Sequence, residues 1–188
     1  MFKPNRYNKK ELEYEQAIES LRNGSAEAFQ FLYQKYHNKV YRFCLRMLGS
    51  EQAAKDAFQD TFVKVYEKRE TFNGDNFSAW LFTIARHTCY NMMRAKKEHS
   101  SFDETFHAKK IQKTTDFGLQ KALESAINSL SESHREAFIL REYEELTYEE
   151  IAEVLEIELS LAKIRVFRAR RKLRTILKPI MKELDEHR

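Results

Sequence analysis

The chain is poor in the residues that punctuate or cross-link a fold: among 188 there are two cysteines, two prolines and four glycines. Cys44 and Cys89 stand far apart and without metal-ligand spacing, which argues against a zinc site and reads as two small buried hydrophobes. The six histidines form no ligand cluster, so neither metal nor cofactor is expected. Gly24, Gly49, Gly74 and Gly118 fall between periodic segments rather than inside them, which leaves an all-α chain. No signal-peptide pattern occurs, and no apolar run approaches the roughly 20 residues needed to cross a bilayer. The expectation is a soluble, reduced, cytoplasmic protein with no membrane insertion of its own. A Gly-rich phosphate loop and a nucleophile motif are also lacking, which argues against an enzyme. Charge of one sign is not in excess, since 33 Lys and Arg against 29 Asp and Glu leave only +4. A nonspecific polycation is thereby excluded, and any acidic partner must be met by local patches.

One such patch lies near the C-terminus. Apolar Ile151, Val154 and Leu155 are followed, across a short turn, by a second periodic set: Leu161, Ile164, Phe167, Leu173 and Ile176. Thr147 with Glu150 is a capping-box pattern that starts the first helix, and Ser160 is placed to cap the second. The first helix carries Glu149, Glu150 and Glu153. The second carries Lys163, Arg165, Arg168, Arg170, Arg171, Lys172 and Arg174, with no acid from Glu158 to Glu183. A basic helix packed across a short turn on a capped partner is the form of a major-groove reader. Its turn has no glycine; Glu156 holds the place where a left-handed residue is easiest.

Upstream, a helix from Glu11 to Arg22 ends at Asn23-Gly24, and Ser25 caps a long helix. Its buried face is Phe29, Leu32, Tyr33, Tyr36, Val40, Phe43, Cys44, Met47 and Leu48. Ser50 opens the next, with Ala54, Ala57, Phe58, Phe62, Val65 and Tyr66 inward and Lys55, Asp56, Gln59 and Asp60 on the opposite face. Glu70 to Ala79 is rich in Asn, Asp and Gly and reads as a surface loop. Trp80 starts a helix that becomes basic toward Arg94. Phe72, Phe77 and Trp80 beside cations and amides would suit single-stranded nucleic acid, but Trp80 reads better as core. Periodicity fades from Lys97 to Gly118, a linker able to span about 70 Å when extended. Leu119 to Leu130 is helical, Ser133 with Glu136 caps another helix through Tyr143, and Pro179 ends the last one.

In this order the strings AFQFLYQKYHNKVYRFCLRMLG, DAFQDTFVKVY and FSAWLFTIARHTCYNMMR, then LSESHREAFILREYEELTYEEIAEVL and IRVFRARRKLR, resemble regions two and four of bacterial RNA polymerase sigma factors. The resemblance is to the compact extracytoplasmic function (ECF) group and covers nearly the whole chain after residue 25. It implies two small helical domains joined by a flexible linker, divided as 1–24, 25–97 (region two), 98–117 (linker), 118–178 (region four) and 179–188. It also implies a subunit that binds core RNA polymerase through the β′ clamp and β flap, directs it to promoter DNA and has an anti-sigma partner. Carried over by position, Asp56, Gln59 and Asp60 face the clamp. Asn73, Asp75, Asn76, His87, Asn91 and Arg94 meet the minus-ten element. Lys163, Ile164, Phe167 and Arg168 read the minus-thirty-five element, with Arg165 and Arg171 toward phosphates. The chain departs from the family pattern at His87 and Asn91, and at Glu156 with Ser160-Leu161-Ala162. A free-standing helix-turn-helix repressor or activator is the alternative; it leaves the Asp56 to Asp60 face and the Asn73 loop unexplained.

Overall fold

The computed structural model describes the backbone of residues 6–73, 76–99 and 115–186, and the side chains of 13–73, 76–95 and 121–182. Asp75 and linker residues 100–114 lie outside the described residues. Eight α-helices and one 3-10 turn (Arg69–Thr71) account for nearly all the rest, and no strand occurs among the described residues. They are α1 (Arg6–Arg22), α2 (Ala26–Leu48), α3 (Glu51–Glu67), α4 (Phe77–His99), α5 (Thr115–Asn128), α6 (Glu132–Glu142), α7 (Tyr148–Leu155) and α8 (Leu159–Glu186).

Where the start and stop chemistry is local, the helices begin and end as the residues dictate. The Ser25 hydroxyl accepts from the Ala28 N–H (3.2 Å) and Gly49 closes α2 in the left-handed region at φ 65°. Thr147 and Glu150 form a complete capping box at α7, with Thr147 N–H to Glu150 at 2.6 Å and Glu150 N–H to Thr147 at 3.1 Å. At the end of α7, Glu156 takes the left-handed conformation (φ 54°) without being glycine. The Ile157 N–H reaches Ala152 O (3.0 Å) and the Glu156 N–H reaches Glu153 O (3.1 Å), so the bend is closed by its own backbone bonds.

Several boundaries differ from the sequence reading, each for a physical reason. α1 starts at Arg6 rather than Glu11, and α4 starts at Phe77 rather than Trp80, because the Asn76 side chain accepts from the Ala79 N–H at 3.0 Å and caps it there. α5 starts at Thr115 and already takes in Gly118. The N-cap position of α6 is Ser131, not Ser133, but its Oγ meets the His134 ring Nδ1 at 2.9 Å rather than a backbone N–H, and the Glu136 carboxylate that would complete a box at Ser133 is buried in ion pairs instead. Ser160 falls inside the first turn of α8, whose leading N–H groups bond Glu158 O. α8 also runs through Pro179, which is exposed, so the single carbonyl that loses its partner is left to water.

The buried face of α8 is Ala162, Val166, Ala169 and Leu173, while Leu161, Ile164 and Phe167 point outward (39, 43 and 64% exposed). Ala162 and Val166 join one apolar core that is continuous with Val40, Phe43, Ala57, Phe82 and Cys89 of the N-terminal half. A smaller core, with Ile127, Leu130, Phe138 and Leu173, lies wholly within the C-terminal half. α4 packs on α7 and α2 on α6, so the two halves meet along a shared apolar seam. Burying a side chain such as Phe43 or Val40 stabilises by about 1.5–3 kcal/mol, and the seam draws on both halves for it.

Candidate nucleic-acid interface

α3 turns Lys55, Asp56, Gln59 and Asp60 to solvent, as its spacing requires, while Ala54, Ala57, Phe62 and Val65 face inward. Tyr66, expected inside, is 40% exposed and edge-on to Phe29 (5.4 Å). Val63 was not anticipated. It is 55% exposed and sits one turn beyond Gln59 and Asp60 on the same face, adding an apolar contact to an acidic and amide stripe.

The loop ahead of α4 is anchored by its aromatics. Phe72 and Phe77 are 4% and 2% exposed, edge-on to each other at 5.7 Å, with Trp80 half-buried beside both. The three rings therefore belong to the core rather than to a stacking platform for bases. Asn73 stands exposed at the rim and its carboxamide oxygen accepts from Arg22 of α1 at 3.0 Å. Asn91 and Arg94 lie exposed further along α4.

Asn76 and His87 are engaged by the helix-turn-helix. The Asn76 amide donates to Glu150 at 2.7 Å, and His87 Nε2 meets Glu156 at 3.1 Å. Between them, Arg86 Nε donates to Glu136 at 2.9 Å, and Glu136, 1% exposed, also takes Arg165 at 3.3 Å. Burial pushes the Glu150 carboxyl up, but the hydrogen bonds from Asn76 and Thr147 outweigh it and leave the group below its usual range. Burial, and then the neighbouring Glu136 carboxylate, push the Tyr90 phenol up to about 12. None of these pairings between distant helices is visible in the sequence; Glu150 signals only a cap there, and Arg86 only a basic helix.

On α8 the arrangement is different. Lys163, Ile164, Phe167, Arg168 and Arg171 share the outer face and are exposed, whereas Arg165 turns in to Glu136, and Arg170 grips Glu142 (Nε to Oε1, 2.9 Å). A row of cations flanking an exposed aromatic ring matches a phosphate backbone on the sides and base edges in the middle.

Two family models match the chain, Sigma-70 region 2 over residues 32–99 and Sigma-70, region 4 over residues 120–173. The chain belongs to the sigma-70 family. RNA polymerase sigma-H factor of Pseudomonas aeruginosa is 32% identical over 185 residues, taking in 90% of this chain and 96% of that one. RNA polymerase sigma factor YlaC of Bacillus subtilis is 32% identical over 172 residues (86% and 97%). ECF RNA polymerase sigma-E factor of Haemophilus influenzae is 29% identical over 180 residues (87% and 95%). Among solved structures, the fold is similar to the sigma factor RpoE in complex with the anti-sigma factor NepR from Bartonella quintana. The TM-score is 0.68 at 29% identity, over 81% of this chain and 98% of that one. CnrH in complex with the cytosolic domain of CnrY is similar in fold, at a TM-score of 0.69 and 23% identity, over 87% and 96%. This sigma factor is of the ECF group, and its function is promoter-directed initiation of transcription with RNA polymerase.

Proposed function

We propose that the sigma factor divides its work between its halves, with no catalytic step of its own, and acts in the cytoplasm, where core polymerase is. The divisions 1–24, 25–97, 98–117, 118–178 and 179–188 are kept as its functional segments. The observation that carries the upstream assignment is the outer face of α8, where Lys163, Arg168 and Arg171 surround Ile164 and Phe167 in the open. Cations there neutralise phosphate or reach guanine edges, and the apolar pair fits thymine methyls. Arg165, drawn onto Glu136, serves the domain's own ion pairs first.

Asp56, Gln59 and Asp60, with Val63 among them, form the surface for the β′ clamp; acidic and amide groups around an apolar centre suit a basic coiled coil. Alanine at Asp56, Gln59 and Asp60 together weakens core binding at least tenfold and leaves the thermal midpoint within about 2 °C, because all three are exposed. Unchanged affinity in a fluorescence-anisotropy titration with core removes the assignment. Asn73, Asn76, His87, Asn91 and Arg94 take the downstream element, offering hydrogen bonds that offset the few kcal/mol of unstacking a base. Asn76 and His87 cannot serve DNA while bonded to Glu150 and Glu156, so α4 and α7 must part before the promoter opens. By likeness to the RpoE–NepR pair, an anti-sigma protein is a further partner.

The deciding experiment is co-purification of the tagged chain with core polymerase, followed by run-off transcription on genomic DNA. Start sites that appear only with the chain present establish the division of labour once their upstream sequences align. A chain that ignores core yet shifts duplex DNA alone is a free-standing regulator instead.

A further inference from the structure

The family match to region two begins at residue 32, beyond α1, yet α1 reaches the loop that the proposed function assigns to base capture. Arg22 lies in the last turn of α1, where a cation complements the helix dipole. Its guanidinium carbon stands 5.7 Å from the centre of the buried Phe72 ring, and its Nη2 donates to the Asn73 Oδ1 at 3.0 Å. The turn that follows is held in place from the other side. Gly24 lies against the Arg69 guanidinium, where an added Cβ would make ordinary contact at 3.6 Å, so it is the left-handed φ of 83° that calls for glycine there. Arg69 in turn donates to Tyr66 O at 2.8 Å and lies over the Tyr66 ring at 4.7 Å. The end of α1 is thus fixed to the end of α3 and the start of the loop, and Arg22 is anchored before it touches Asn73.

A carboxamide has two edges, an acceptor oxygen and a donor nitrogen, and a free one on a protein surface presents either. Here the oxygen is occupied, and no described residue accepts from the Asn73 amide nitrogen. We propose that Arg22 is a positioning residue for promoter reading: by holding the Asn73 oxygen it leaves only the –NH2 for the captured base, which is then read through an acceptor atom. Arg22 itself need not touch DNA. Without it the carboxamide rotates, and a base presenting a donor at that point is accommodated by the oxygen, so discrimination falls even where opening persists.

The inference rests on the proposed role of Asn73, and its test separates the two. Holoenzymes are assembled from core with the wild-type chain, R22A, R22M, R22K and N73A, and run-off rates are measured on templates carrying each of the four bases at every downstream-element position. Core affinity and thermal midpoint are recorded for each variant. The expected result is that N73A and R22A flatten the preference at one and the same position by about 3–10-fold, the worth of one hydrogen bond. R22K, which keeps a donor, recovers part of it, and R22M, which keeps the length of the side chain without a donor, behaves as R22A should if R22A folds poorly. If N73A flattens a position and the folded Arg22 variants do not, Asn73 reads without Arg22 and the inference is overturned. A uniform rate loss for R22A and R22M that tracks lowered core affinity or midpoint also overturns it, as a structural role alone. If N73A changes no position, the reading of the loop fails first and takes the inference with it.

Discussion

The two surfaces proposed to face DNA in this sigma factor stand in different states. On α8 the cations Lys163, Arg168 and Arg171 are exposed and their side chains make no hydrogen bond or ion pair among the described residues, and the Phe167 ring is 64% exposed. At α4, the capping Asn76 and His87, with Arg86 between them, are each bonded to an acid from α6, α7 or the turn after α7. The C-terminal half is the source of the contrast, since it shows cations on the outer face of α8 and, toward α4, Glu136 of α6 with Glu150 and Glu156 of the helix-turn-helix. On the proposed assignments, the upstream surface can meet duplex DNA as it stands, whereas the downstream surface must first exchange acidic side chains for a DNA strand. Such an order suits the task, because binding to duplex precedes opening.

The contrast can be broken most forcefully at Glu136. E136A leaves Arg86 and Arg165 half-buried without their shared partner, and a loss of about 3 kcal/mol is expected in urea denaturation. Next is Glu144, 3% exposed in the bend after α6, with neither carboxylate oxygen bonded among the described residues. Burial pushes its carboxyl up to about 7 against the pull of Arg46, Lys39 and Arg42 on α2, with Glu145 adding to the push. A raised carboxyl favours the packed state below its ordinary pKa of 4.5, and that contribution is lost as pH rises through about 7. E144Q should therefore be more stable than wild type at pH 8 by on the order of 2 kcal/mol, with the difference gone by pH 4.5. An equal offset at both pH values would assign the effect to packing.

Smaller effects sharpen the comparison. E156G relieves a left-handed glutamate worth about 1 kcal/mol but gives up the exposed His87 contact, worth at most about 0.5 kcal/mol, so a net gain below 1 kcal/mol is expected. The same variant should open promoters faster, since one of the acids covering α4 is gone; stopped-flow with a fluorescent template measures it. Smallest of all is R168A with R171A, which should shift stability by no more than about 0.5 kcal/mol while weakening promoter binding, because neither side chain supports the fold.

The helices and most of their caps were legible because their causes lie within four residues, as at Ser25, Ser50 and Thr147. The buried stripe of α8 was not legible, because Leu161, Ile164 and Phe167, which point outward, share helical spacing with a core face. The residues that are buried, Ala162 and Ala169 among them, are too small to stand out. Ser133 and Glu136 match a capping box in sequence, but pairing across 50 residues with Arg86 claims the carboxylate. The candidate contacts on α3 and α8 could be placed by periodicity. What could not be seen was that α7 covers α4, since nothing within either helix records which face of a distant helix it will meet.

Trp80 gives the downstream end of the molecule a signal of its own. It is the chain's only tryptophan, tilted against Phe72 at 5.2 Å and Phe77 at 5.6 Å at the root of the Asn73 loop. Its emission is therefore an intrinsic optical probe of the place where a base would be taken in, with no label to disturb the site. Parting α4 from α7 leaves the three-ring cluster intact and should shift the emission little, whereas reordering of the loop displaces Phe72 directly. Spectra of the chain by itself, recorded as it meets single-stranded DNA of the downstream element, distinguish the first event from the second.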